Sequence, residues 1–205
     1  YFAHFSIICA QKQQIMGKNI VIFASGTGTN AENIIRYFEK KKSASIKIKL
    51  VLSNKKEAQV LERAKRLNIP CRYIPKNDWE KGEEILSLLQ SNEIDLIVLA
   101  GFLLKVPDSL LEAYPRRIVN IHPALLPKYG GKGMYGNRVH EAVAAAGETE
   151  TGITIHYINK EYDKGEIISQ VTCPIRPDDT PEEIASKVHA LEYEYYPQVI
   201  ESLLS

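Results

Sequence analysis

Short apolar runs alternate along the chain with stretches whose apolar residues recur every three or four positions. Asn19-Ile20-Val21-Ile22-Phe23-Ala24 is continuous and of strand length, as in a strand covered on both faces. It breaks at Ser25-Gly26-Thr27-Gly28-Thr29-Asn30, after which Ile34, Ile35 and Phe38 mark one side of a helix. The same logic predicts a strand over 46–52, a helix over 57–67 and a short strand, Cys71-Arg72-Tyr73-Ile74. An amphipathic helix over 78–90 follows, with Trp79, Ile85, Leu86 and Leu89 toward the core, and then a buried strand over 95–101. Ile118-Val119 opens another strand, and a helix through Val139, Ala142, Val143 and Ala146 stops at Gly147. Two late strands, 151–157 and 167–173, are joined by a polar turn and read as antiparallel additions. Thr180-Pro181-Glu182-Glu183 combines a capping box with proline at the first helical position, opening a last helix toward Leu204 with Pro197 as a candidate break.

Strands alternating with helices on this spacing predict an α/β fold, doubly wound and Rossmann-like, with a mostly parallel sheet and antiparallel late strands. Ligands of such sheets sit beyond the carboxyl ends of the strands. The segments 25–30, 101–106 and 120–127 are then expected to share one rim.

Candidate chemistry clusters there. Asn120 and His122 lie two residues apart on a strand, so both point to one face. An amide donor beside an imidazole suits a carbonyl that becomes an oxyanion; a polar strand end is the plainer reading. Strand, glycine turn and helix at 25–30 aim backbone N–H groups at an anion. A phosphate monoester, a nucleotide on the loose G-x-G-x-x-A spacing of Gly26, Gly28 and Ala31, and a structural tight turn all fit that loop. The glycine-rich stretch 128–136 is either a mobile active-site loop or a surface connector. Thr154 and His156 read as sheet-face residues supporting a site, and Tyr193, Tyr195 and Tyr196 as helix packing.

Composition narrows the class. The chain has 205 residues, 44% hydrophobic and 25% charged, with a net charge of +1, which argues against a dedicated nucleic-acid surface. Lys40-Lys41-Lys42 reads as a solvated helix end. Cys9, Cys71 and Cys173 are far apart, without metal-ligand spacing, and fit a reducing, cytoplasmic setting without a metal. No run reaches the ~18 apolar residues of a membrane span. Residues 1–15 are expected to be an N-terminal extension, upstream or vector-derived, outside a functional domain over 16–205, since Met16-Gly17-Lys18 reads as a start; a short signal-like segment is the alternative.

In this order the motifs Ser25-Gly26-Thr27-Gly28-Thr29-Asn30, Ala100-Gly101-Phe102, Asn120-Ile121-His122-Pro123, Gly152-Ile153-Thr154-Ile155-His156 and Asp163-Lys164-Gly165 resemble the folate-dependent phosphoribosylglycinamide (glycinamide ribonucleotide) formyltransferases of purine biosynthesis, over residues 16–205. The resemblance implies formyl transfer from 10-formyltetrahydrofolate, as co-substrate, to the amine of phosphoribosylglycinamide, by a monomer or homodimer without nucleic-acid or membrane partners. Asn120, His122 and Asp163 match the family's catalytic trio. Gly28, Thr29, Asn30, His189 and Glu192 match its ribonucleotide-binding positions. Leu103, Leu104, Lys105 and Val106, with Asn120, Asn159, Lys160, Glu161, Tyr162 and Asp163, match the walls of its folate pocket. Leu104, with Lys105 beside it, stands where the family commonly has an arginine; a pterin held there by backbone groups tolerates that change. Two other readings remain at this point, a formyltetrahydrofolate hydrolase and a non-catalytic nucleotide-binding module.

Overall fold

The first apolar run forms a central strand, β1 (Lys18–Phe23), because both of its faces can be buried. Ile20 and Ile22 enter one core and Val21 and Phe23 the other, all without solvent exposure. The chain, seen in a computed structural model that describes residues 17–41 and 45–205, continues as α1 (Thr29–Lys40), β2 (Ile46–Ser53), α2 (Gln59–Arg66) and β3 (Cys71–Tyr73). Next come α3 (Lys76–Lys81), α4 (Glu83–Ser91), β4 (Leu96–Leu99), α5 (Asp108–Ala113), β5 (Ile118–His122) and α6 (Asn137–Ala145). β6 (Glu150–Tyr157), β7 (Ile167–Pro174) and α7 (Pro181–Leu204) complete it. The expectations for residues 1–15, Cys9 among them, lie outside the described residues.

The seven strands run in the order β3-β2-β1-β4-β5-β6-β7. The first five in the sheet pair in parallel, and β6 and β7 are antiparallel additions, as the pattern of the late strands predicts. Helices α1, α2, α6 and α7 cover one face through Ile34, Val60, Val143 and Val188, and α3 to α5 cover the other through Trp79, Ile85 and Leu110. Burying each such side chain stabilises the fold by about 1.5–3 kcal/mol. This is the doubly wound arrangement expected from the alternation of runs.

Three local features differ from the sequence reading. The helix expected over 78–90 is two helices, broken at Gly82, whose φ is +75°. A Cβ there would lie 2.4 Å from Ser109 Oγ, so glycine lets the turn pack against the α5 region. α5 itself is too short to leave a periodic signal. Pro197 does not break α7. Proline removes one helical hydrogen bond and strands the carbonyl four residues earlier; here that carbonyl, Tyr193 O, accepts from Asn33 Nδ2 at 2.8 Å.

α7 is also anchored under the functional end of the sheet. The hydroxyl of fully buried Tyr196 donates to the Leu99 and Val119 carbonyls, at 2.9 and 3.2 Å, which ties α7 to β4 and β5.

Candidate active site

The strand ends converge as expected. Gly26–Asn30, 100–103 and 120–123 line one cleft of about 600 Å³, together with the glycine loop from Gly131 to Gly136. That loop is thus cleft wall and not a surface connector. Ser25 ties two of the segments together: its hydroxyl donates to Asn54 Oδ1 at 2.6 Å and accepts from Leu103 N at 2.9 Å.

Asn120 and His122 sit on β5 with the parity of a strand, side chains on the same face, and both line the cleft. His122 is 4% exposed and its Nε2 lies 2.8 Å from the Tyr129 carbonyl. A carbonyl can only accept, so that nitrogen carries the hydrogen. Its Nδ1 faces Asp163 Oδ2 at 3.6 Å. Asp163 comes from the β6–β7 connection, in a left-handed backbone conformation (φ +54°), and also accepts from Gly131 N at 2.8 Å. Its other oxygen lies 3.7 Å from His156 Nε2.

Pairing of β5 with β6 puts Asn120 opposite His156. The fully buried His156 donates from Nδ1 to the Tyr157 carbonyl at 2.9 Å. Burial lowers its pKa and favours the neutral ring. Nε2 is then an acceptor, and Asn120 Nδ2 donates to it at 3.2 Å. This orients the amide, whose second hydrogen stays available to a ligand. Gly165 makes the arrangement possible, because a Cβ there would lie 1.6 Å from the Tyr157 carbonyl oxygen.

The glycine turn has the geometry of an anion cradle. Gly28 is the N-cap of α1 with φ +75°, and no side chain caps the helix. A Cβ on Gly28 would come within 2.4 Å of Val60 Cγ2, so both its angle and its contact require glycine. Thr29 and Asn30 follow on the cleft wall, and Asn30 Oδ1 is buried without a hydrogen-bond partner. Opposite, α7 contributes His189 and Glu192. Burial pushes the Glu192 carboxyl up to about 7 and lowers the His189 imidazole.

A narrower pocket of about 80 Å³ adjoins the cleft. Leu104, Lys105, Val106, Asn159, Lys160 and Glu161 line it, and Leu103, Asn120, Tyr162 and Asp163 line both spaces. Leu104 is half-buried against the core, whereas Lys105 is exposed with Nζ 3.6 Å from Asp108. Lys160 Nζ reaches Asp108 and Glu112, each at 3.5 Å. Among the described residues no group of three or more His, Cys, Asp or Glu side chains could hold a metal ion. No helix among them is long and apolar enough to cross a membrane.

The structure therefore gathers every candidate residue around two joined cavities. It adds one that carried no signal: His140, 2% exposed in the cleft wall, with Nδ1 unpartnered. Burial, reinforced by the charges of His189 and His122, lowers its imidazole to about 4. On the apolar face of a short helix such a histidine looks like core.

Comparison with known proteins identifies the family and the fold. The family model described as formyl transferase matches residues 18–200. A Bacillus subtilis phosphoribosylglycinamide formyltransferase is 37% identical over 191 residues, covering 91% of this chain and 95% of the relative. The chloroplastic enzyme of that name from Arabidopsis thaliana is 38% identical over 190 residues, 89% of this chain. This chain spans 64% of the Arabidopsis protein's length. The crystal structure of the Bacillus halodurans phosphoribosylglycinamide formyltransferase superposes with a TM-score of 0.82 at 38% identity, covering 92% of this chain and 96% of that one.

Proposed function

The chain belongs to the formyl transferase family, and on that footing we propose that it moves the formyl group of 10-formyltetrahydrofolate onto the primary amine of phosphoribosylglycinamide. One observation carries this reading: Asn120 and Asp163 stand where a cleft with an anion cradle meets a narrower pocket. An anchored phosphate at Gly28, Thr29 and Asn30 holds the amine on one side, with His189 and Glu192 as further contacts to the ribonucleotide. The pterin lies on the other side, along 103–106 and 159–163. Names of similar proteins point the same way, and the cradle favours an anchored amine over a water nucleophile.

The amine nitrogen attacks the formyl carbon, a tetrahedral oxyanion forms, and the bond to N10 breaks as a proton passes from the attacking to the departing nitrogen. Holding the two reactants in place supplies roughly 7–11 kcal/mol in well-oriented cases. Asn120 donates its second amide hydrogen to the oxyanion. His122 adds a second donor when the oxyanion, a stronger acceptor than a neutral carbonyl, competes with Tyr129 for the Nε2 hydrogen. Asp163 takes the amine proton through a water. The functional domain is residues 16–205, working in the cytoplasm, where the free thiols of Cys71 and Cys173 stay reduced.

The test is consumption of 10-formyltetrahydrofolate by the purified chain with and without phosphoribosylglycinamide. Turnover that requires the amine, with one formylated amine per folate released, is expected. Formate release at the same rate without the amine identifies a hydrolase and overturns the proposal.

A further inference from the structure

We infer that Arg63 is a positioning residue for the phosphate cradle, acting through the backbone of Thr27 and not through its charge. The inference rests on the function proposed above. Arg63 lies on α2, outside the cleft lining, and its Nε donates to the Thr27 carbonyl at 2.8 Å. One turn earlier, Val60 N donates to the Gly26 carbonyl at 3.2 Å, and the Val60 side chain fills the space a Gly28 Cβ would need. α2 therefore holds two consecutive carbonyls of the turn. A trans peptide is planar, with its C=O and N–H pointing in opposite directions. Fixing the Gly26 and Thr27 carbonyls toward α2 turns the Thr27 and Gly28 N–H groups to the opposite side, that of the cleft these residues line. Those donors join the uncapped first turn of α1 in one concave set suited to a phosphate monoester.

The guanidinium is itself held in place. Arg63 Nη1 pairs with Glu32 Oε2 at 2.5 Å, while Arg36 takes Glu32 Oε1 at 2.7 Å. Arg63, and after it Arg36, keep the Glu32 carboxyl below its usual range, so the carboxylate stays ionised and holds the Arg63 guanidinium in place, with Arg66 Nη2 4.0 Å from the same Glu32 oxygen. Held by Glu32, Arg63 brings the turn a directed hydrogen bond to the Thr27 carbonyl.

Two variants separate donor from charge. In Arg63→Gln the amide nitrogen falls at the chain position of Nε, so the bond to Thr27 survives while the charge and the Glu32 pair are lost. Arg63→Met keeps the length and loses both. Losing one such hydrogen bond is worth about 3–10-fold. R63M should raise KM for the ribonucleotide by about that factor, with kcat within about twofold and KM for the folate unchanged. R63Q should stay within about twofold of wild type in all three. Calorimetric binding of ribose 5-phosphate, which needs no turnover, should weaken in R63M and not in R63Q. Equal loss in both variants assigns the effect to charge and overturns the inference. So does an unchanged R63M, or a parallel rise in both KM values, which marks a general structural defect. A wild-type chain that binds ribose 5-phosphate and transfers no formyl group contradicts the proposed reaction and leaves the binding comparison to decide on Arg63.

Discussion

Asn120 and His156 face each other across the β5–β6 ladder, with Asn120 Nδ2 3.2 Å from His156 Nε2. The Tyr157 carbonyl fixes the tautomer of His156, and His156 in turn fixes the amide of Asn120. The proposed oxyanion donor is thus oriented by two groups that never touch the substrate.

His156→Phe fills the same buried space and removes the acceptor. It should lower kcat by about 10–100-fold, less than loss of an oxyanion donor itself, with KM for the ribonucleotide near wild type. Steady-state kinetics with both substrates saturating checks this; unchanged kcat would show that the Asn120 amide needs no such partner.

Glu192 makes stability depend on pH. Its carboxyl is raised by burial to about 7 in the folded chain, against 4.5 for a free glutamate side chain. The neutral form is therefore favoured by folding: the contribution is fully present below pH ~4.5 and is lost as pH rises through ~7. Glu192→Gln mimics the neutral acid and should be the more stable protein at pH 8, by up to about 3 kcal/mol, with no advantage at pH 4.5. Denaturant melts of both proteins at the two pH values give the answer, and equal stability at pH 8 would contradict a carboxyl raised by folding.

Gly165 has no room for a side chain beside Tyr157 O. Gly165→Ala should force the β6–β7 connection outward, costing about 1–3 kcal/mol and lowering Tm by several degrees. Activity should fall with it, since the displaced carbonyl is the one that holds His156. A variant with wild-type Tm and kcat would rule out this tight contact.

Much of this was legible from the chain alone, and the failures have a common physical origin. β1 and β4 were readable because a strand buried on both faces must be apolar throughout, β5 from the apolar Ile118-Val119 that opens it, and the shared rim followed from a parallel sheet. The parity of Asn120 and His122 followed from strand geometry. What escaped depends on partners distant in sequence. The left-handed turn at Gly82 packs where a Cβ would meet Ser109, and Pro197 leaves α7 intact because Asn33 caps Tyr193 O. The link from Asn120 to His156 needs the antiparallel register between β5 and β6, which no local pattern states. His140 sits among apolar positions of α6 and gave no sign that its ring reaches the cleft.

The central claim is that Asn120, His122 and Asp163 act on one reacting carbon. It is tested most directly by kcat for Asn120→Ala, His122→Ala and Asp163→Ala with both substrates saturating. Removal of one oxyanion donor costs ~10²–10³ in kcat. Losses in that range are expected for the first two and at least as large for Asp163→Ala. Near wild-type turnover in His122→Ala would contradict the claim.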